Sequence, residues 1–468
     1  MTASLILSAP SAASRRAHQV VPYLVTAVVH LVSSLPGLSP LYLVFSLVGF
    51  IYWTLKKKDE LALLLLLLGS SFSYTSLSIW NNGVIPGLPF LLLGLSLLVV
   101  GVRITISGLV VTTFCVTGLF ALSVSNVFAV GIPPVIVDLL VVASIPLAAL
   151  RFRKLSEHQF SLTFSACALI AVAKMVVFAF AGVENPVLST YTEAKFLDTL
   201  DELTGFYLLF ALVLMFELNR LRCVAIGLFG ALVFHYIGSD NWLGYYGIGS
   251  QVLFALIFFV IFLLVRFPVG FVAIAGVMVL LIPMLTMLSE DTGDLKLQQL
   301  LSVFDILARS NIALLPHSVH VRVAEMTTFF DGAWWHQLFG GGLGGYINLS
   351  DDFPQYLGQD DYSKQQIDSG KITTPHNLGY LMIKFGYVGL ALAVVFLVWI
   401  YRAARRMTAP KFALYVTFGV FLILNLGYTL KNSFLLGVLW VVICDCYRSE
   451  RAGMRQPDVN LNTSRRKN

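Results

Sequence analysis

Long apolar runs, separated by short polar segments, dominate the chain from Val20 to Cys446. Each run is about 16 to 25 residues long, which suits a helix that crosses the hydrocarbon core of a bilayer. A helix satisfies its own backbone hydrogen bonds in lipid, so the pattern predicts an all-α polytopic membrane protein with about 14 transmembrane helices. The predicted helices are centred near Thr26, Ser46, Gly69, Leu93, Val116, Val141, Leu169, Phe210, Phe229, Ile257, Val277, Leu390, Phe418 and Gly437.

Composition and charge agree with this prediction. Hydrophobic residues make up 57% of the chain and charged residues 12%, whereas a soluble domain carries roughly a quarter charged residues. The net charge of +6 could suggest nucleic acid, but the cations are spread along the chain between the apolar runs. Most of them fall in segments on one side of the predicted membrane, which identifies that side as the cytoplasm. We therefore predict cytoplasmic termini and no nucleic-acid partner.

The start of the chain does not resemble a cleaved signal, because Arg15 and Arg16 follow its short apolar stretch instead of preceding it. The predicted division of the chain is a cytoplasmic tail over 1–19, helices one to eleven over 20–288, a large outer loop over 289–375, helices twelve to fourteen over 376–447, and a basic cytoplasmic tail over 448–468.

Function is expected in the outer loop, since connections of this length in compact proteins are usually functional or disordered. Its many aromatic residues favour folding over disorder. The stretch from Leu295 to Ala308 has helical periodicity, which predicts an amphipathic helix lying on the membrane or packed on the bundle. The loop also carries more carboxylates than cations, and we expect those carboxylates, Glu325 and Asp331 among them, to face solvent or a neutral acceptor.

Two groups of polar and glycine residues in this loop could carry chemistry. Arg322 is followed by Trp334 and Trp335, and then by five glycines within Gly340–Gly345, a stretch called the glycine segment below. Glycine amides such as those of Gly342 and Gly344 can face an anion, although the lysine and preceding strand of a P-loop are missing and a flexible turn is the alternative.

The second group lies where the loop ends. His376 and Asn377 follow Pro375, which suits the start of a helix. A histidine there can act as a base, and the alternative is an ordinary polar residue at the membrane surface.

These motifs, in this order, resemble the O-antigen ligase and O-antigen polymerase superfamily of membrane glycosyltransferases. The resemblance is close over about seventy residues, from Arg322 to Leu390, and includes a Gly-x-x-Gly at Gly386 and Gly389. It implies a bacterial cytoplasmic (inner) membrane protein whose large loop and active site face the periplasm. The implied donor is an oligosaccharide linked to undecaprenyl diphosphate, and the implied acceptor is a glycan or a lipid-linked glycan, with other polysaccharide-assembly proteins as further partners. No cofactor or metal is implied.

The resemblance also implies roles for individual residues. Arg322 would hold the leaving diphosphate, because a guanidinium matches phosphate oxygens in a two-pronged contact. His376 would remove the proton of the acceptor hydroxyl, oriented by Asn377. A second phosphate-binding arginine found in many members is missing here, where Asp240 follows Ser239. The cations that could replace it are Arg309, Lys371, Lys384 and Lys195. The candidate substrate-binding residues are Asn377, Lys384, Arg309, Trp334, Trp335, Gly342, Gly344 and Lys174.

Other charged residues have competing interpretations. Lys174 lies within an apolar run, where a charge needs compensation, and it could face the lipid diphosphate or pair with Asp138. Lys384 could reach the same anion, or extend its amine to the membrane surface. A metal site formed by histidines and a carboxylate is a further alternative. Its residues would be His317, His320, His336 and Asp331.

The sequence predicts an O-antigen-type polymerase slightly ahead of a ligase that acts on the lipid A core. A transporter or flippase of lipid-linked glycan fits the number of helices equally well, but such proteins usually show internal repeats, and none is visible here. A non-catalytic assembly subunit is a third alternative, and it predicts that His376 is dispensable.

Overall fold

The structure is a computed structural model that describes residues 12–33, 39–70, 123–180, 203–218, 248–268, 317–348, 366, 369–373, 375, 377–426 and 430–454. The described residues are mostly helical. The helices, in chain order, are α1 (Ala12–Ser33), α2 (Ser39–Leu55), α3 (Asp59–Ser70), α4 (123–130), α5 (Ile132–Arg151), α6 (Glu157–Phe180), α7 (Thr204–Leu218), α8 (Ile248–Arg266), α9 (His317–Phe330), α10 (Trp334–Phe339), α11 (Asn377–Ala404), α12 (Ala409–Leu424) and α13 (Leu430–Met454); the strands are β1 (Ile347–Asn348) and β2 (Lys371–Ile372).

Helices cover ten of the predicted centres, from Thr26 to Gly437, while the centres near Leu93, Val116, Phe229 and Val277 lie outside the described residues. Two helical stretches in the described part of the chain are long and apolar enough to cross a membrane, namely α5 and Leu378–Ala404 of α11. The shorter apolar stretches are Val21–Val32, Val44–Leu55, Gly205–Met215, Ile257–Arg266, Ala409–Leu424 and Asn432–Tyr447. The helical class is thus confirmed, and the number of spanning helices stays a prediction.

Aromatic side chains form the centre of the main hydrophobic core, between α6, α7 and α12. Phe164 of α6 lies 4.7 Å from Phe210 of α7 and 5.5 Å from Phe418 of α12, between ring centroids. Phe210 and Phe418 meet edge to face at 5.5 Å and 84°, an arrangement that aromatic rings prefer over face-to-face contact. Interlocked rings of this kind fix the three helices against one another.

Small residues allow the closest helix crossings. A Cβ at Gly437 of α13 would overlap the backbone carbonyl of Ile145 in α5, so these two helices touch backbone to backbone. Such contacts are typical of helix packing in membranes. The hydrophobic effect does not drive helices together there, and small residues let the backbones come close enough for van der Waals contact. Trp399 of α11 and Trp440 of α13 stack beside this crossing, with ring centroids 4.0 Å apart.

Polar contacts fasten α5 to α2 and α3 at its C-terminal end. Arg151 pairs with Asp59 at 2.7 Å and donates to the Thr54 hydroxyl at 2.9 Å. Only 1% of the Arg151 side chain is exposed, and a charge this deeply buried requires such partners. A more exposed pair, Lys411 with Glu157 at 3.1 Å, joins α12 to α6.

The described part of the outer loop folds onto the first half of α11. β1 and β2 form an antiparallel ladder in which Ile347 faces Ile372 and Asn348 faces Lys371. A second, smaller core joins this ladder to α9 and α11, and it contains Phe329, Ile347, Ile372, Met382 and Ile383. The expectation of a folded loop holds for these residues, whereas the predicted helix over Leu295–Ala308 lies outside the described part of the chain.

Candidate functional site

A break inside α11 organises the site. Gly386 has φ 60° and ψ −156°, which is not helical and is reached almost only by glycine. The carbonyls of Ile383 and Lys384, just before the break, accept hydrogen bonds from the amides of Gly341 at 2.7 Å and Gly342 at 3.0 Å. The glycine segment therefore packs directly on the broken backbone of α11.

Glycine is required on both sides of this contact. A Cβ at Gly386 would lie 2.5 Å from the amide nitrogen of Gly340 and 2.6 Å from the carbonyl oxygen of Leu338. A Cβ at Gly340, where φ is +72°, would overlap the carbonyl group of Lys384. The two backbones thus touch with no room for side chains. The sequence indicated only that glycine would permit a close approach of the backbone.

A buried ion pair between Asp138 of α5 and Lys384 of α11 lies beside the glycine segment. The Lys384 amine is 2.7 Å from Oδ2 of Asp138, and the two side chains are 0% and 4% exposed, respectively. Asp138 also accepts hydrogen bonds from the Gly344 amide at 2.6 Å and the Tyr380 hydroxyl at 2.9 Å. Lys384 donates a further bond to the carbonyl of Thr373 at 2.8 Å. The pair therefore connects α5, α11, the glycine segment and the end of the outer loop.

These contacts bear on three expectations. Asp138 pairs with Lys384, and its two carboxylate oxygens are engaged by Lys384, Gly344 and Tyr380. The alternative pairing with Lys174, whose side chain lies outside the described residues, stays a prediction. Lys384 does not extend to the membrane surface, because its amine is buried. A direct role for Lys384 in binding an anion stays a prediction, and it would require the amine to leave Asp138, which costs free energy inside a protein.

α4 holds the glycine segment from the other side. The Asn126 side-chain amide donates to the carbonyls of Gly341 at 2.5 Å and Leu343 at 2.9 Å. The Leu343 amide in turn donates to the Ser123 hydroxyl at 2.8 Å. The side chains of Asn126 and Ser123 thus satisfy backbone groups that have no partner in a helix or strand.

Every amide of the glycine segment is used inside the protein. Besides the four bonds already described, the Gly340 amide donates to the His336 carbonyl at 2.8 Å and the Gly345 amide to the Gly342 carbonyl at 3.0 Å. The segment is therefore a bonded turn and not a flexible one. Binding of an anion by the amides of Gly342 and Gly344 stays a prediction, and it would first require these bonds to break.

Lys371 is also engaged within the fold. Its amine donates to the carbonyl of Ala129, at the end of α4, at 2.6 Å and lies 5.2 Å from the ring centroid of Tyr346. These contacts fix β2 against α4. The amine of Lys371 is therefore engaged within the fold, and its role as a second phosphate-binding cation stays a prediction. Arg309 and Lys195 lie outside the described residues.

α9 carries Arg322 and Glu325 toward the start of α11. Arg322 is partly buried, and Glu325, three residues later, has 0% exposure. This corrects the expectation that the Glu325 carboxylate faces solvent. A Cβ at Gly379 would lie 2.8 Å from Oε2 of Glu325, so the carboxylate rests against the first turn of α11. A carboxylate is favourable there because the N-terminus of a helix carries partial positive charge.

The contacts of α9 show its direction relative to α11. Glu325 meets Gly379, and four residues later Phe329 shares a core with Met382 and lies 5.6 Å from the ring of Tyr387. Both helices advance in the same direction through these contacts, so they run parallel. A step of three residues back from Glu325 and from Gly379 leads to sequence positions 322 and 376.

α10 presents its aromatic residues outward. Trp334 is 74% exposed and Trp335 is 45% exposed, so both are accessible to a ligand or to lipid. Trp335 stacks on His336, with ring centroids 3.5 Å apart. Burial lowers the pKa of His336 below its ordinary value, and a hydrogen bond to the backbone of Gly340 opposes this effect.

The kinked helix is thus in contact with both the glycine segment and α9, the latter through Glu325 and Phe329. No known protein family, curated protein or solved structure matches this chain. Function is therefore inferred from the residues themselves.

Several candidate residues are not among those described. His376 lies outside the described residues, between Pro375 and the first residue of α11. Asn377 begins α11 and Lys174 belongs to α6, but their side chains also lie outside the described part, as do those of His317 and His320. Within the described residues, no group of three or more His, Cys, Asp or Glu side chains could hold a metal ion.

Sequence reasoning underestimated Asp138 and did not foresee the contact between Glu325 and Gly379. Asp138 and Lys384 are each a single charge inside a long apolar run, and two such charges of opposite sign suggest a pair, although many pairings are possible. Nothing in the sequence around Glu325 distinguishes it from the other carboxylates of its loop. Its burial follows only from the packing of α9 on α11.

Proposed function

We propose that this protein is a membrane glycosyltransferase of the O-antigen polymerase or ligase type. It transfers an oligosaccharide from undecaprenyl diphosphate to a sugar hydroxyl on the periplasmic side of the cytoplasmic membrane, with Arg322 and His376 as catalytic residues. Polymerisation of repeat units is preferred slightly over ligation to the lipid A core.

A location in the membrane is supported by the surfaces of the long apolar helices. Only 28% of the apolar window in α5 and 33% of that in α11 is buried. Large apolar side chains are exposed on α1, α2 and α11, including Val28 at 58%, Val48 at 60% and Leu392 at 66%. Soluble proteins rarely expose apolar surface so continuously, whereas lipid makes it favourable. The proposed topology has about 14 such helices, with both termini in the cytoplasm.

The observation that carries the enzymatic proposal is the parallel packing of α9 on α11. Arg322 lies three residues before Glu325 in α9, a little less than one helical turn or about 5 Å along the helix axis. His376 immediately precedes α11 in the sequence. Because the helices run parallel, Arg322 and the start of α11 belong at the same end of the helix pair, which supports the proposal that His376 acts together with Arg322. A cation and an imidazole at one rim of the bilayer are the two groups that the transfer reaction requires.

The reaction needs only these groups. The acceptor O–H gives its proton to the imidazole of His376 while its oxygen forms a new bond to the anomeric carbon. The bond between that carbon and the diphosphate oxygen breaks, and undecaprenyl diphosphate leaves with the bonding electrons. Arg322 stabilises the negative charge that develops on the diphosphate. The exposed rings of Trp334 and Trp335 suit stacking against sugar faces at the entrance.

This proposal can be tested by measuring glycan transfer in vesicles that contain the purified protein and purified lipid-linked repeat units. Arg322→Ala and His376→Ala should each lower transfer at least ~10²-fold, as expected for loss of a charge-stabilising group or a general base. Arg405→Ala and His158→Ala are matched controls at exposed positions on α11's C-terminal side and on α6, and they should retain transfer. Wild-type rates for either variant at the candidate site would exclude that residue.

The products separate the alternatives. A ladder of lengths indicates a polymerase, and a lipid A conjugate indicates a ligase. Movement of the lipid-linked glycan across the vesicle membrane without any new glycosidic bond would instead support a flippase. Transfer should persist in EDTA, since inhibition by a chelator would favour the alternative metal site around His317.

The packing argument can be tested without activity. Cysteines placed at 322 and 376 should be joined by a bis-maleimide that spans about 10 Å, a distance that two neighbouring helices allow. A pair at 322 and 405 is the control, since position 405 lies beyond the far end of α11. If the first pair does not form a cross-linked peptide, the two residues do not share a site.

A further inference from the structure

The buried pair of Asp138 and Lys384 has a role that the proposed reaction does not yet use. The Lys384 amine lies 2.7 Å from Asp138 and 2.8 Å from the carbonyl of Thr373. Thr373 belongs to the short connection between β2 and α11, and His376 is three residues further along the chain. One charged side chain thus reaches from the middle of the kinked helix back to the segment that leads into its first turn.

This contact supports a connection that lies outside regular secondary structure. The ladder of β1 and β2 ends at Ile372, so the carbonyl of Thr373 lies beyond regular secondary structure. Pro375 has no amide hydrogen to donate in a turn. The Lys384 amine therefore supplies a strong donor to this connection, because a charged donor forms roughly twice as strong a hydrogen bond as a neutral one.

Asp138 allows Lys384 to remain there. An ammonium group that is 0% exposed is stable only when an opposite charge compensates it. Asp138 also holds the Gly344 amide at 2.6 Å, so the same carboxylate fixes the glycine segment against α11. Loss of either charge should therefore release both the connection before His376 and the glycine segment.

From this geometry we propose that Asp138 and Lys384 are positioning residues that fix the connection 371–375, and through it His376, for the transfer reaction. This inference rests on the proposed function, and it assigns Lys384 a role different from direct contact with the donor diphosphate. Neither residue needs to touch substrate, because their effect passes through the backbone at Thr373.

Hydrogen exchange of the purified protein in lipid nanodiscs tests the positioning separately from activity. Asp138→Asn and Lys384→Met should each accelerate exchange roughly tenfold in peptides covering 340–345 and 369–380, because the amides there lose their support. Asp59→Asn is the matched control, since it breaks the other buried ion pair of α5, with Arg151. The control should leave exchange in these two peptides unchanged. Unchanged exchange in both test variants would overturn the inference.

Steady-state transfer kinetics test the consequence for the reaction. Both single variants should lower kcat roughly 10²-fold, the effect expected when a catalytic group is misplaced by about 1 Å, with the donor KM within twofold of wild type. The double variant should be no slower than the slower single variant, because both changes act through one contact. A large rise in donor KM for Lys384→Met but not for Asp138→Asn would overturn the inference and make Lys384 a donor-binding cation.

A milder variant keeps the test decisive if charge removal prevents accumulation in the membrane. Tyr380→Phe removes one hydrogen bond to Asp138 and leaves both charges in place. It should give a smaller acceleration of exchange in the same two peptides, and no acceleration would count against the inference. If wild-type protein transfers no glycan at all, the proposed function fails, while the exchange results still decide whether the pair positions the connection.

Discussion

Replacement of Gly386 by alanine should destabilise the protein far more than the same change at another glycine with positive φ. Gly386 has φ 60° and ψ −156° and lies against the glycine segment, whereas Gly370 has φ +65° with nothing within 4 Å of a Cβ. Both variants introduce backbone strain, but only the first introduces overlap. The comparison therefore separates conformational strain from the close contact of two backbones.

The expected magnitudes follow from these contacts. Strain alone should cost about 1–2 kcal/mol at Gly370 and about 1–3 kcal/mol at Gly386. At Gly386 the new Cβ would lie 2.5 Å from the amide nitrogen of Gly340, so the segment must move away. That movement breaks the bonds from Gly341 and Gly342 to α11, at about 1–2 kcal/mol each. The total for Gly386→Ala is about 3–7 kcal/mol, a large part of the stability of a typical domain.

Thermal unfolding in nanodiscs, followed by tryptophan fluorescence at one fixed scan rate, measures the difference. The apparent Tm of Gly386→Ala should fall at least twice as far as that of Gly370→Ala. Hydrogen exchange should localise the damage of Gly386→Ala to the glycine segment and the residues before the break in α11. Equal shifts for the two variants would refute the close contact and leave strain as the sole cause.

Two further predictions concern charges away from the kink. Arg151→Met should lower the free energy of unfolding by about 3–5 kcal/mol, because the largely buried Asp59 carboxylate loses its partner. Lys411→Met should lower it by less than about 1 kcal/mol, because the pair of Lys411 and Glu157 is partly exposed. Similar Tm shifts for the two variants would contradict this ranking. Burial lowers the pKa of His336 in the folded protein, so the unfolded chain takes up a proton at this residue more readily than the folded protein does. The stability that depends on neutral His336 is therefore complete above the unfolded pKa near 6.5, and it is lost as pH falls through the folded pKa. His336→Gln should therefore show a flatter dependence of Tm on pH below about 6.5 than wild type, and parallel curves would show that this histidine contributes nothing to acid sensitivity.

The apolar runs were sufficient to locate helices, because a run of about 20 apolar residues has few alternatives to a helix in lipid. The break at Gly386 was not predictable from periodicity. α11 continues its apolar pattern through the glycine, and single glycines are common in membrane helices without any break. The conformation of Gly386 depends on the glycine segment, which is distant in sequence and whose backbone occupies the space where a side chain at position 386 would lie.

The site was predictable in composition but not in geometry. The order of Arg322, the glycine segment and the His376–Asn377 pair pointed to the part of the chain in which the glycine segment packs on α11. Sequence reasoning gave anion binding as one interpretation of the glycine amides and of Lys384, whereas the structure engages all of them internally. Residue types define which groups can bind phosphate, and only the packing determines which of them remain accessible.

Two ion pairs at different depths have a mechanical consequence for α5. Asp138, near the start of this helix, is paired with Lys384, and Arg151, at its end, is paired with Asp59. The two attachments are about 20 Å apart along the helix axis, so sliding or turning α5 would separate both pairs at once and leave buried charges without partners. α5 is therefore held near both of its ends, and we expect movements within the described residues to come from elements other than this helix.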